Sequence, residues 1–167
     1  VLYVSMLPTD GDGNTGNSRS DGHRQRNEVS ITEENCVAVR GDTVRYHAQL
    51  YIPSNLNAGS VPNNGWYHIF QIKKWGMDRP VLTIGIKGDT LVLYRCESYD
   101  SIVIGNVNSF KNKWVSVDFT VDIGADIRVN YNLLGRRGKI LCTKSVNKYS
   151  NYIYMKLGQY MYWPNYI

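Results

Sequence analysis

Apolar and polar residues alternate along most of the chain, and short segments rich in Gly, Asp, Asn, Ser or Pro separate the alternating stretches. This alternation is typical of β-strands, because successive side chains point to opposite faces of a sheet. The predicted strands cover residues 24–31, 43–52, 68–73, 81–87, 90–96, 101–104, 114–123, 126–132, 139–143 and 152–162. Gly88 and Asp89 give a hairpin signal between two of them. Ten short strands at this spacing predict an all-β sandwich of the jelly-roll type, with residues 1–167 as a single domain.

Two predicted strands indicate clearly which side faces the core. In residues 114–123 the apolar side consists of Val115, Val117, Phe119 and Val121. In residues 43–52 the apolar side is Tyr46, Ala48, Leu50 and Ile52, and the polar side is Arg45, His47, Gln49 and Tyr51. Polar side chains also share one side of residues 24–31 and of residues 68–73. We expect these polar sides to belong to one curved sheet and to line a concave groove.

The charge of the chain favours an anionic partner. The formal net charge is +5 at pH 7 and the pI is about 9.1, and the positive residues are not gathered in one run. Nucleic-acid binding is disfavoured because no recognised motif or clustered basic stripe is present. No stretch of about 18 apolar residues exists, so no membrane span is expected. A groove lined by Arg, Gln, Lys, His and Tyr suits an acidic polysaccharide, which carries carboxylates and hydroxyls.

The segment 154–160 carries the most specific chemistry in the sequence. In a strand, Tyr154, Lys156, Gly158 and Tyr160 lie on one side. An ammonium near a phenol favours the phenolate, which makes Tyr160 a candidate for proton transfer. The glycine between them leaves room for a large ligand to lie across this side.

Three segments together resemble the β-jelly-roll polysaccharide lyases. Arg26-Asn27-Glu28-Val29 is similar to a strand motif that has Arg or His first, Glu third, and Leu or Val fourth. Gln71-Ile72-Lys73 is similar to a strand motif of the form Gln-x-His or Gln-x-x. Tyr154 to Tyr160 matches the Tyr-x-Lys-x-Gly-x-Tyr strand in full. Residues 80–84 and 113–115 also look like this group. The likeness is closest to glucuronan lyases of polysaccharide lyase family 20 and more distant to alginate lyases of family 7 and heparin lyase I.

The resemblance implies an endo-acting lyase that cleaves a 1,4-linked uronic-acid polysaccharide by β-elimination, with glucuronan the first expectation and alginate the second. Such a reaction removes the C5 proton of a uronate whose carboxylate has been neutralised, and then protonates the leaving O4. We expect Arg26 and Gln71 to neutralise the carboxylate, Tyr160 to act as base and then acid, and Lys156 to favour its phenolate. The expected substrate-binding residues are Lys73, Arg24, His47 and Tyr154. Alginate lyases have His where this chain has Lys73.

Two other function classes stay open. A non-catalytic carbohydrate-binding module would use the same groove without cutting the polymer. A glycoside hydrolase would need two carboxylates that flank the scissile bond, and the four glutamates show no suitable pair on a strand face. Taken singly, each candidate residue is also compatible with an ordinary surface position, and only their joint occurrence in order favours a lyase.

The remaining expectations concern histidines, cysteines and metals. By simple alternation His68 points to the core, and His23 lies in or beside a loop. Cys36, Cys96 and Cys142 lack metal-ligand spacing and allow one disulfide or none. Residues 10–14, with Asp21, are similar to the start of a calcium loop, but Thr15 occupies the position of the required Gly. No cofactor is therefore expected, and a structural Ca²⁺ remains the alternative.

The last expectations concern the state of the chain. We expect a monomer, and the resemblance implies a secreted protein. The sequence begins at Val1 without a visible signal peptide, as a processed product would. Compared with the lyases it resembles, it looks trimmed at both ends.

Overall fold

The computed structural model describes residues 23–31, 38–56, 66–74, 80–95, 100–142 and 153–163, and this part of the chain forms ten strands and a short 3₁₀ turn, Val107–Phe110. The strands are β1 (His23–Ile31), β2 (Thr43–Ile52), β3 (Trp66–Lys74), β4 (Leu82–Lys87), β5 (Thr90–Arg95), β6 (Ser101–Asn106), β7 (Lys113–Ile123), β8 (Ile127–Leu133), β9 (Arg136–Cys142) and β10 (Ile153–Trp163). Each predicted strand is present, with its ends shifted by three residues or fewer. Among the described residues we find no helix with the length and hydropathy needed to cross a membrane.

The strands form two antiparallel sheets. The six-stranded sheet has the order β1-β10-β3-β4-β5-β6, and the four-stranded sheet has the order β2-β7-β8-β9. Strands distant in sequence, such as β1 and β10, are neighbours, because the chain passes repeatedly from one sheet to the other. The predicted all-β jelly-roll sandwich is confirmed.

The core lies between the two sheets and follows the predicted alternation. On β7, Val115, Val117, Phe119 and Val121 are buried, while the residues between them are more exposed. Phe119 stacks on Phe70 of β3, with ring centroids 5.2 Å apart and an interplanar angle of 23°. This pair joins the centres of the two sheets, since both rings have almost no exposed surface.

The hairpin between β8 and β9 is tighter than the sequence indicated. Leu133 pairs with Arg136, so that Leu134 and Gly135 alone form the turn, with φ of 55° and 81°. Two positive φ values are required by the type I′ turn, whose twist matches that of the flanking strands. A leucine rarely adopts this conformation, which explains why the turn was not predicted and why β9 begins three residues earlier than expected.

The register of β3 contains the irregularity that matters most for the site. Between His68 and Phe70 the pairing with β4 shifts by one residue, and the pairing with β10 shifts between Leu157 and Tyr160. Ile69 and Phe70 both pack towards the core, as expected where an extra residue forms a β-bulge. The bulge reverses which side of β3 the preceding residues face.

Cys142, at the end of β9, is disulfide-bonded. The other two cysteines, Cys36 and Cys96, lie outside the described residues. The sequence had left open whether any disulfide forms. The cysteine spacing alone did not decide whether this bond forms. Disulfides persist in oxidising compartments.

Candidate functional site

The face of the six-stranded sheet that points away from the core carries a cluster of polar side chains. Along β3 and β4, core residues such as Ile72 and Ile84 alternate with polar residues on this second face. We call it the site face, and its described members are His68, Gln71, Lys73, Thr83, Tyr94, Tyr154 and Lys156. The cluster spans the four strands β10, β3, β4 and β5.

Cross-strand pairing places these side chains next to one another. Gln71 pairs with Lys156 on one side and with Thr83 on the other, and Lys73 pairs with Tyr154. Residues directly opposite in an antiparallel sheet have Cβ atoms about 4.5–5.5 Å apart. The structure therefore brings together Gln71, Lys156, Lys73 and Tyr154, four of the eight residues that the sequence proposed.

The members of the site face differ in exposure. Gln71 is 3% exposed, and Thr83 and Tyr154 are also buried, whereas Lys73 and Lys156 are half-buried. The two lysines therefore supply the positive charge that a ligand meets first. Gln71 lies beneath them, in surroundings where the lower polarity strengthens a hydrogen bond to a charged group.

His68 lies on the site face and not in the core, so the expectation from simple alternation was wrong. Its ring centroid is 5.7 Å from that of Tyr94, and it pairs with Gly85 of β4. A Cβ atom on residue 85 would lie 2.9 Å from Cε2 of Tyr94 and 3.3 Å from Cδ2 of His68. The two rings therefore approach closely because residue 85 is a glycine. The bulge at Ile69 is the physical reason for the error, since it reverses the parity of the strand.

Burial sets the protonation states of these rings. It lowers the pKa of His68 to about 3, so that the imidazole is neutral at neutral pH. Burial also raises the pKa of Tyr94, which stays a neutral phenol. The site face thus combines positive lysines with a neutral imidazole and neutral hydrogen-bonding groups, an arrangement that favours an anionic ligand.

We expect His68 to make the protein less stable in acid. In the unfolded chain a histidine binds a proton below about pH 6.5, whereas folded His68 does not until about pH 3. The unfolded chain binds more protons between these values, so the free energy of unfolding falls as the pH is lowered, by up to about 1.4 kcal/mol per unit. Urea unfolding at several pH values should show this slope, and His68→Gln should reduce it. An unchanged slope in the variant would contradict the buried neutral state.

The register places the remaining candidates beside this cluster. Position 160 on β10 lies opposite His68 of β3 and opposite Arg26 of β1, and position 162 lies opposite Arg24. The side chains of Arg24, Arg26 and Tyr160 lie outside the described part of the structure. All four predicted catalytic positions are nevertheless in one sheet, on the three adjacent strands β1, β10 and β3. Their catalytic roles stay predictions.

His47 is not part of the site face, which corrects the expectation that it shares a groove with Arg26 and Gln71. It lies on β2 in the four-stranded sheet, where its side chain is 54% exposed. Its Nδ1 is 2.9 Å from Oδ1 of Asp118, which also accepts a hydrogen bond from Nη2 of Arg45 at 2.8 Å. These contacts, from Arg45 first and His47 second, lower the pKa of Asp118. Alternation along a strand shows which residues share a side, but it does not show which sheet the strand joins.

Within the described ranges, no three His, Cys, Asp or Glu side chains are grouped so that they could hold a metal ion. The calcium-loop segment 10–14, together with Asp21, lies outside the described residues.

Comparisons with known proteins support the fold. No family model matches the sequence, and neither does any curated protein. Among solved structures, the endo-β-1,4-glucuronan lyase from the fungus Trichoderma reesei is similar to 95% of this chain, with a TM-score of 0.56 and 13% identity. A family 7 alginate lyase bound to its product is similar to 82% of the chain, with a TM-score of 0.54 and 12% identity.

The similarity covers different shares of these proteins. The chain spans 75% of the glucuronan lyase and 62% of that alginate lyase. A second family 7 alginate lyase is similar to 82% of this chain, with a TM-score of 0.48 and 18% identity, and the chain spans 58% of it. At such identities the comparison establishes the fold alone. The protein shares the jelly-roll fold of these two solved lyase structures, as the sequence motifs indicated.

Proposed function

We propose that the protein is a polysaccharide lyase that cleaves a 1,4-linked uronic-acid polysaccharide by β-elimination, with glucuronan as its first expected substrate and alginate as its second. The observation that supports this most is the adjacency of the three motif strands. β1 and β10 lie near opposite ends of the chain and β3 lies between them in sequence, yet the three strands pair so that Arg26 lies opposite Tyr160 and Gln71 opposite Lys156. Motif residues that are far apart in sequence are thus neighbours in one small region of one sheet.

In the proposed reaction the substrate carboxylate is neutralised first. The C5 proton of a uronate is only weakly acidic, because the charge left by its removal must spread into a group that is already negative. Gln71 donates a hydrogen bond from its amide, and Arg26 supplies a guanidinium, so that negative charge can accumulate on the carboxylate oxygens. Lys73 and Lys156 hold the polyanion over these groups, and Arg24 and Tyr154 extend the contact.

Proton transfer then completes the elimination. The phenolate of Tyr160 takes the C5 proton, and the electrons of the C5–H bond form the C4–C5 double bond. The C4–O4 bond breaks, its electron pair goes to O4, and the phenol of Tyr160 returns the proton to that oxygen. Lys156 favours the phenolate. The reaction written in this way needs no redox cofactor and no metal.

His68 is a second candidate for the proton transfer. Its imidazole is neutral and its backbone lies opposite that of Tyr160, but the burial that lowers its pKa also makes it a weak base. The chain thus has an imidazole in this region although Lys73 stands where alginate lyases have His. The low exposure of His68 favours Tyr160 as the group that meets the substrate, with His68 beside it.

The disulfide at Cys142 supports secretion, because such bonds are retained outside the reducing cytoplasm. A secreted monomer that acts on external polysaccharide agrees with the positive net charge of the chain.

An ultraviolet absorbance assay tests the proposal. The protein is incubated with glucuronan, alginate and a neutral glucan, and the conjugated double bond of an unsaturated uronate is followed over time. We expect absorbance to rise with at least one polyuronate and not with the neutral glucan, and the viscosity to fall early, as endo-action requires. Retarded migration in a polyuronate gel without any rise in absorbance would instead establish a non-catalytic binding module, which is the alternative function.

A further inference from the structure

The outer face of the four-stranded sheet exposes two large aromatic rings. Tyr51 of β2 is 46% exposed and Trp114 of β7 is 57% exposed, and the two residues are cross-strand partners. Their ring centroids are 5.5 Å apart at an interplanar angle of 50°. Neither ring belongs to the core, and contiguous exposed apolar surface of this kind commonly marks a place where a protein binds something else.

An open depression lies beside Trp114. It is lined by Lys113 and Ser116 of β7, Asn132 of β8 and Arg137 of β9, and the turn at Gly135 closes one end. One wall is therefore a flat ring, and the rest of the lining combines two cations, an amide and a hydroxyl with apolar side chains such as Phe110 and Leu134. This depression is on the sheet opposite to the site face, and none of its residues takes part in the proposed elimination.

The chemistry of this surface, which we call the outer aromatic site (Tyr51, Lys113, Trp114, Ser116, Asn132 and Arg137), fits a polyuronate. The apolar C–H side of a sugar ring packs on the indole, and a uronate carboxylate accepts a bidentate pair of hydrogen bonds from Arg137. Asn132 and Ser116 offer both donors and acceptors to sugar hydroxyls. Trp, Tyr and Arg are also the side chains that contribute most to binding at interfaces.

The charge of the surrounding face is complementary to such a ligand. On the outer side of the four-stranded sheet, the basic strand residues are Arg45, Arg128, Arg137 and Lys139, and the acidic ones are Asp118 and Asp122. Asp118 is already paired with Arg45. The positive charge that remains attracts a polyanion to this side of the sandwich.

We propose that the outer aromatic site is a second, non-catalytic binding site for acidic polysaccharide. The choice of ligand rests on the proposed function, whereas the geometry is independent of it. A long polymer or a gel engages both faces of the sandwich, and the second contact then forms at a high effective concentration. An oligosaccharide of a few sugars reaches only one face. The outer aromatic site therefore keeps the protein on polymeric substrate and does not affect cleavage of short chains.

The test is a binding measurement with two matched double variants. Trp114→Ala with Arg137→Ala removes the aromatic ring and the cation of the site. Leu141→Ala with Lys139→Ala removes one exposed apolar side chain and one cation from β9 on the same outer face, away from the depression. All of these side chains are exposed, so both proteins should keep the wild-type thermal midpoint. Affinity electrophoresis in gels that contain alginate or glucuronan gives the dissociation constants.

We expect the Trp114/Arg137 variant to bind either polymer about tenfold more weakly, while the Leu141/Lys139 variant, which loses one positive charge from the same face, binds only slightly more weakly than the wild type. Equal weakening in both variants would overturn the proposal, because it would reflect general charge alone. Weaker binding to single-stranded DNA but not to polyuronate would also overturn it in favour of a nucleic-acid surface. A change in sedimentation from dimer to monomer without a change in polyuronate binding would make the patch a contact between copies.

Failure of this inference is distinct from failure of the proposed function, since binding needs no turnover. If the protein produces unsaturated product and the Trp114/Arg137 variant binds polymer normally, only the outer aromatic site is refuted. If no product forms and that variant still loses binding, only the lyase activity is refuted. A tetrauronate adds a kinetic readout, because its kcat/KM should be the same in all three proteins.

Discussion

Replacing Tyr160 by Phe is expected to lower the turnover of polyuronate by a factor of about 10²–10⁴, which is the range of general acid–base catalysis. The substitution keeps the aromatic ring and removes only the hydroxyl, the one group that moves the proton in the proposed reaction. The fold and the affinity for the polymer should therefore change little. Initial rates from the absorbance assay, together with affinity electrophoresis of the same variant, separate these effects.

Tyr131→Phe is a suitable control, because Tyr131 is half-buried on β8 in the other sheet and should tolerate the same loss without a change in rate. A Tyr160→Phe protein with nearly normal turnover would contradict the assignment of the base. If His68→Gln were inactive in the same experiment, the imidazole would take over the role of base. If Lys73→Ala were inactive instead, the lysine at the position of the alginate-lyase histidine would do so.

Gln71→Ala is expected to lower kcat by a factor of about 10²–10³ with a much smaller change in KM, as found when one donor to a developing negative charge is removed. The amide matters most when charge accumulates on the carboxylate, so the loss should appear in turnover. Because Gln71 is only 3% exposed, a measured thermal midpoint must show that the variant is folded. Gln71→Glu keeps the volume of the side chain and should be at least as inactive, because a carboxylate repels the substrate.

His47→Ala is the matched control for Gln71, since sequence reasoning placed both residues in one groove and the structure places them in different sheets. Its kcat should equal that of the wild type. Arg26→Ala should behave as Gln71→Ala does if the guanidinium shares the neutralising role. A large rise in KM with unchanged kcat at either position would reduce that residue to a simple binding group.

Local features of the sequence determined which segments are strands and which side of most strands is buried. In β2 and β7 the alternation of apolar and polar residues identified the core side, including Tyr46 and Phe119. This is possible because successive side chains of a strand point to opposite faces, whichever strands it pairs with. The motifs of β1, β3 and β10 also indicated a lyase-like chain, and the six-stranded sheet contains all three.

Only the tertiary structure decided which polar sides lie in the same sheet. It also decided which face a side chain such as His68 occupies where the strand departs from regular alternation. His47 and Gln71 share a similar strand pattern, but they lie in different sheets because strand pairing is made by contacts between residues distant in sequence. His68 faces Tyr94 and not the core because one extra residue in β3 forms a bulge, and its neighbours in sequence give no sign of it. The sequence by itself thus determined the strands and their apolar sides, whereas sheet membership, register and bulges, which depend on long-range pairing, determined the composition of the site.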